Sequence, residues 1–237
     1  MKILTEKLPM RDTMFKFTTI GLEHYNKHDV ILELLEKEMD NEFTSQIWLK
    51  TSIQKRFMYY HMYYDLLMGY SSIPLSILDI GGGLCSLTKK MIKHNNYTLL
   101  DIMAHDSSLI NEPFLIKEDW SDFNSLNKRY DLIVSNDLLP NVDQRLELFI
   151  NKFLPVCKKL RLTLTYYNDR RSYKVKRLDA DEILTIIPWN GNQVKEILLK
   201  YPNRIILPDF SIFSTEDKSI FANNRQVIMV KLRGDLC

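Results

Sequence analysis

At 237 residues, with 45% hydrophobic and 26% charged residues, the chain has the balance of a folded globular protein: one large domain, or a core with an attached cap. A formal net charge of +2 gives no electrostatic case for a nucleic-acid binder, and three scattered cysteines, Cys85, Cys157 and Cys237, argue against a disulfide framework or a Cys/His zinc site. The first residues, through Arg11, are interrupted by charges, and no uncharged apolar run nears the roughly 20 residues of a membrane span, so a reducing cytoplasm is the expected compartment, with no membrane partner.

The first 70 or so residues read as helix. Val30 to Glu38 mixes apolar and charged positions at helical spacing, and Ile53 to Tyr70 forms a second helix dense in aromatics, with Phe57, Tyr59, Tyr60, Tyr63 and Tyr64 around His61. The character changes at Ile73-Pro74. From there short apolar runs at 76–80, 97–102, 114–117, 130–135 and 160–166 alternate with helical stretches. Leu84, Leu87, Met91 and Ile92 line one helical face, and Leu146, Phe149, Ile150 and Phe153 another. After Tyr167 the spacing predicts a helix over 179–187, then two final strands at 204–207 and 226–232 joined as a wide hairpin.

This alternation predicts an α/β fold: a doubly wound, mostly parallel seven-stranded sheet with a C-terminal antiparallel strand and an N-terminal helical cap. The expected division is a helical cap and substrate region at 1–72 and the α/β sheet domain at 73–237.

Three of the seven glycines stand together as Gly81, Gly82 and Gly83, between an apolar run ending Leu78-Asp79-Ile80 and an amphipathic stretch. Glycine is required where the backbone turns left-handed or must approach a ligand without a Cβ, and such a strand-to-helix turn holds nucleotide-like cofactors in doubly wound folds. An ordinary tight turn is the plain alternative. Asp101 ends the next run, 18 residues beyond Gly83, close to the spacing at which a carboxylate meets ribose hydroxyls.

Ile77-Leu78-Asp79-Ile80-Gly81-Gly82-Gly83 resembles the first motif of the class I (Rossmann-like) S-adenosylmethionine-dependent methyltransferases, with Cys85 at the family's third glycine position. The resemblance implies S-adenosyl-L-methionine as cofactor. It gives Asp79 the ordering of the loop and the methionine end, and gives Asp119 and Trp120, at the third run, the adenine. Asn136 and Asp137 close the fourth run, where strand tips face the ligand crevice, so they are expected beside the transferable methyl; Asp137 also reads as a helix cap. The resemblance is good over 76–167, moderate over the last strands and slight over the N-terminal helices.

A nicotinamide oxidoreductase is the rival enzyme class, since Gly81-x-Gly83-x-x-Ser86 nears the dinucleotide pattern. Asp79 opposes it, placing negative charge where a pyrophosphate would sit and where an ammonium is welcome. A methyltransferase-like scaffold subunit is a rival of another class. For the acceptor, the missing Asn/Asp-Pro-Pro-aromatic motif counts against nucleobase amino-methylation. Arg56 and Tyr60, with Tyr59, His61 and Tyr64, are candidates for a polar-aromatic lid, and Arg170 and Arg171 for gripping an anionic group. Candidate general bases are Asp137, His61 and His105. The acceptor expected from these features is a small polar molecule methylated on oxygen: a sugar, a nucleotide-linked sugar or a phosphorylated metabolite, as in surface polysaccharide biosynthesis. RNA or protein is the alternative, with Lys174, Lys176 and Arg177 as the patch that would serve RNA.

Overall fold

The structure is a computed structural model that describes residues 14–35, 43–102, 112–124, 127–168, 173–177, 182–214 and 217–236. The chain enters through a two-residue strand, β1 (Phe15–Lys16), and four helices: α1 (Thr19–Asn26), α2 (Val30–Leu34), α3 (Thr44–Thr51) and α4 (Ile53–Leu67). Next come β2 (Ser76–Ile80), α5 (Ser86–His94), β3 (Asn96–Leu100), β4 (Leu115–Ile116), β5 (Tyr130–Leu139), α6 (Leu146–Phe153) and β6 (Cys157–Tyr167). The chain closes with β7 (Tyr173–Arg177), β8 (Glu182–Ile186), α7 (Gly191–Leu198) and β9 (Arg225–Arg233).

The main sheet has seven strands in the order β1-β9-β6-β5-β2-β3-β4. Strands β4, β3, β2, β5 and β6 are mutually parallel, and β9 runs antiparallel to both β6 and β1. The fold is the expected doubly wound α/β sheet, with three corrections. The outermost place beyond β9 is filled by Phe15–Lys16, a pair too short to carry any periodicity. The segment 204–207 makes only a single bridge, Ile205 to Leu232. In place of the helix expected over 179–187, the described part, Glu182–Ile186, is β8, paired antiparallel with β7 in a separate two-stranded ribbon.

Alternation along the strands sorts the core into two layers. Leu78, Ile80, Ile133, Leu160, Leu162, Ile228 and Val230 meet α6 and α7 on one face. Ile77, Leu99, Leu132, Val134, Val227 and Met229 meet α4 and α5 on the other. α6 buries Leu146, Phe149, Ile150 and Phe153, the one-sided stripe its sequence foretold. α4 is buried nearly all round, from Arg56 to Tyr63 and again at Leu66 and Leu67, because α1, α2 and α3 cover its outer side. An ion pair adds to this packing: Arg161 of β6 grips Asp65 of α4 through both terminal nitrogens, at 2.9 and 2.7 Å. Residues on both sides of the expected boundary at 72 thus share one apolar layer. Among the described residues no helix is long and apolar enough to cross a membrane.

Candidate active site

The carboxyl ends of β2, β3, β4 and β5 open on a cavity of about 630 Å³, walled on its far side by α3 and α4. Cavities at this edge of an open parallel sheet are where such folds bind ligands, because loops diverge there from strand ends that hold them rigidly.

The glycine turn forms one wall. Gly81 (φ 69°) and Gly83 (φ 64°) are left-handed, and a Cβ on Gly83 would overlap the Ser45 hydroxyl of α3. A Cβ on Gly82 would collide with the Asp79 carboxylate beneath the turn. Cys85, at the family's third glycine position, has an extended backbone (φ −154°) and is the N-cap of α5, where Thr88 Oγ1 accepts its N–H at 3.3 Å. No glycine is required there.

Asp79 does not line the cavity. It is 1% exposed, lies under the turn, and accepts hydrogen bonds from Tyr97 Oη at 2.7 Å and Tyr63 Oη at 3.0 Å. Burial raises its pKa to about 7, although both tyrosine hydrogen bonds favour the charged form and Asp101 opposes it. Its expected role of ordering the loop fits this position; contact with a ligand does not.

Asp101, at the tip of β3, lines the cavity and accepts the Gly83 N–H at 3.0 Å. At the tip of β4, Asp119 accepts Ser121 N–H at 2.7 Å and pairs with Arg145 at 3.2 Å; burial pushes its pKa up, but these bonds prevail and hold it below the usual carboxylate range. Trp120 lines the same side, its ring packed edge-on to Phe149 and its Nε1 donating to Asp143 at 2.7 Å. The Arg145 guanidinium lies 4.6 Å from that ring and binds Asp143 at 2.6 Å.

At the tip of β5 the register with β6 breaks between Ser135 and Leu139, and the bulge turns Asn136 and Asp137 onto the cavity. Asp137 has φ 62°, a left-handed conformation rare for a residue other than glycine, and its N–H donates to Thr163 Oγ1 at 2.7 Å. That hydroxyl in turn donates to Asn136 Oδ1 at 2.9 Å. The Asp137 carboxylate is bound by Lys55 Nζ from α4 and by Arg225 Nη1 from β9, the latter at 2.7 Å. Burial works to raise its pKa, but the charges of Arg225 and Lys55 prevail and hold it below the usual range. A carboxylate so stabilised is a poor proton acceptor, which corrects its reading as a general base.

Three more expectations are corrected by position. His61 does not reach the cavity; its ring is enclosed by Phe15, Phe17, Phe57 and Tyr60 at centroid distances of 4.7, 5.6, 5.1 and 5.2 Å. Tyr60 packs among Tyr25, His61 and Tyr64 on the same side, and its neighbour Tyr59 lines the cavity instead. Arg56 is a structural clamp, donating to Asp29 at 2.7 Å and to the Leu49 carbonyl at 2.7 Å, which fixes α2 and α3 against α4. His105, Arg170 and Arg171 lie outside the described residues, and Lys174, Lys176 and Arg177 fall on β7. Sequence reasoning missed Lys55, Arg225, Arg145, Asp143 and Thr163, each of which acts through a partner brought to it by the fold.

No family model matches the chain, and no curated protein matches it. Among solved structures it is similar to a protein from Pyrococcus horikoshii OT3 at 13% identity, covering 78% of this chain and 93% of that one, with a TM-score of 0.47. It is similar to magnesium protoporphyrin IX methyltransferase from Synechocystis PCC 6803, solved with bound SAM, at 13% identity over 91% and 96% of the two chains, TM-score 0.45. A third is an S-adenosylmethionine-dependent methyltransferase from Clostridium acetobutylicum ATCC 824, at 15% identity over 67% and 84%, TM-score 0.41. The site is defined by its own geometry: a glycine turn and three acid-bearing strand tips around one cavity.

Proposed function

We propose that the chain is an S-adenosylmethionine-dependent methyltransferase acting on a small polar acceptor. The observation that carries this reading is the joint between Gly83 and Asp101, which sets a Cβ-free turn and a carboxylate side by side on the cavity wall. A carboxylate has lone pairs enough to accept both from the turn and from a ribose hydroxyl.

The lining suits that cofactor. Leu100, Ile102, Leu138 and Val142 offer apolar surface for a base, with Asp119 and Trp120 at the same end. Among the described residues five carboxylates and two cations line the cavity, a balance that favours a sulfonium and an ammonium over the pyrophosphate of a nicotinamide cofactor. Cys85 caps α5 with an extended backbone, so the turn needs no third glycine to hold this shape.

When bound, S-adenosylmethionine supplies an electrophilic methyl group on a positively charged sulfur. The chain's part is to hold the acceptor nucleophile in line, exclude water and fix the strand tips, for which the bulge at Asn136-Asp137 and its bond to Thr163 are suited. On the acceptor side, Thr44, Ser45, Trp48, Lys55 and Tyr59 offer hydroxyls, aromatic faces and one cation. That set fits a sugar, a nucleotide-linked sugar or a phosphorylated metabolite methylated on oxygen, such as a surface-glycan precursor. In this reading 1–72 shapes the acceptor pocket and 73–237 holds the cofactor.

The test is calorimetric titration of S-adenosylhomocysteine, with NAD as control, into wild type and Asp101→Ala. Micromolar binding of the former, lost in the variant, supports the reading; binding of NAD alone overturns it.

A further inference from the structure

Two positive charges share one negative charge at the tip of β5. Lys55 binds one oxygen of Asp137 and Arg225 the other, and among the described residues neither cation forms a second ion pair. The Arg225 and Asp137 side chains are 8% and 11% exposed, whereas that of Lys55 is 26% exposed. Arg225 is further enclosed by the Phe221 ring, 3.9 Å from its guanidinium carbon. Lys55 therefore presents the surplus charge to the cavity, its Nζ 5.1 Å from the centroid of Trp48.

A surplus charge in a wall partly stripped of water is costly unless a ligand neutralises it. The opposite end of the cavity has the reverse imbalance: among the described residues Asp101, Glu118, Asp119 and Asp143 line it with one cation, Arg145. The cavity is thus polarised, acidic at the tips of β3 and β4 and basic where α4 meets β5. Asp137 holds Lys55 on one side only, and an ammonium has three donors, so an incoming anion can bind without displacing the carboxylate.

We propose that Lys55 binds an anionic group, a carboxylate or a phosphate, on the acceptor, with Asp137 and Arg225 as the positioning residues behind it. This rests on the methyltransferase reading above, since the cofactor fills the acidic end and leaves the basic end to the acceptor. Burial and the nearby Arg225 charge both depress the Lys55 pKa, and a bound anion relieves that pressure. The amino-acid carboxylate of the cofactor shares this chemistry, so the test must separate the two sources.

Inorganic phosphate is titrated into the protein, alone and saturated with S-adenosylhomocysteine, for wild type, Lys55→Met and Lys55→Arg. Methionine keeps the helix propensity and leaves Asp137 paired with Arg225; matching thermal unfolding of the three proteins verifies the fold. The expected result is that phosphate binds the loaded protein, about tenfold or more weaker in K55M and near wild type in K55R, with S-adenosylhomocysteine affinity unchanged. Weaker binding of S-adenosylhomocysteine by K55M, with 5′-deoxy-5′-methylthioadenosine unaffected, would assign Lys55 to the cofactor carboxylate and overturn the proposal. So would phosphate binding indifferent to K55M. If S-adenosylhomocysteine fails to bind while phosphate binds through Lys55, the anion site stands and the methyltransferase reading falls.

Discussion

Tyr97 Oη donates to Asp79 Oδ2 at 2.7 Å, pinning β3 to β2 under the glycine turn through a carboxyl group that water does not reach. Because burial lifts that carboxyl to about 7 from 3.8, the folded protein keeps a proton that the unfolded chain surrenders. The sign follows: between about pH 4 and 7 the unfolded state binds fewer protons, so this group's contribution to stability falls as pH rises, then levels off above 7. The full effect is on the order of 4 kcal/mol. Urea unfolding of wild type and Asp79→Asn across pH 5–8 checks it; the difference between the two should shrink or reverse in favour of the variant toward pH 7. A parallel pair of curves would refute it.

Gly83 is constrained twice, by its left-handed backbone and by the Ser45 hydroxyl. Gly83→Ala is expected to lose about 1–2 kcal/mol from the backbone term alone, with further loss from the overlap. Adding Ser45→Ala should recover part of the second loss and none of the first. Chemical denaturation of the single and double variants gives both numbers.

Asp101 holds the turn from the side. Asp101→Ala removes the acceptor for Gly83 N–H and the carboxylate at once, whereas Asp101→Asn retains a carbonyl oxygen for the N–H. Cofactor-product affinity should fall tenfold or more in both, because hydrogen bonds to a charged group are worth about 1.5–3 kcal/mol. Stability should fall measurably in the alanine variant only.

The Asp65–Arg161 pair fastens α4 to β6. The Arg161 side chain is 8% exposed, so Asp65→Ala leaves a buried guanidinium without its carboxylate. A loss of about 3 kcal/mol is expected, read as a lower denaturation midpoint with an unchanged slope.

How much of this was legible beforehand follows from the range of each interaction. The β2–turn–α5 unit is written in consecutive residues, and apolar periodicity gave the central strands and α6. The edge strand Phe15–Lys16 is placed by β9, more than two hundred residues later, and carries no local mark. Glu182–Ile186 is a strand because 173–177 lies beside it, a pairing hidden in a polar stretch that scans equally as helix. At the site, the acids at strand tips could be counted from glycine spacing. Lys55 and Arg225 could not, since they meet Asp137 from 82 and 88 residues away. His61 misled for a related reason: within a helix wrapped by other helices, a polar side chain gives no sign of which flank it faces.

The unbroken register of β6 with β9, from Lys159–Arg233 to Tyr167–Arg225, sets an order of assembly. During synthesis β6 emerges well before its outer partner, and β1, which precedes both, is paired among the described residues with β9 alone. Strand β1 is therefore seated only after β9. Until β9 is in place β6 is an exposed edge, and Asp137 waits for Arg225, so the basic end of the cavity is completed only when the final strand closes the sheet.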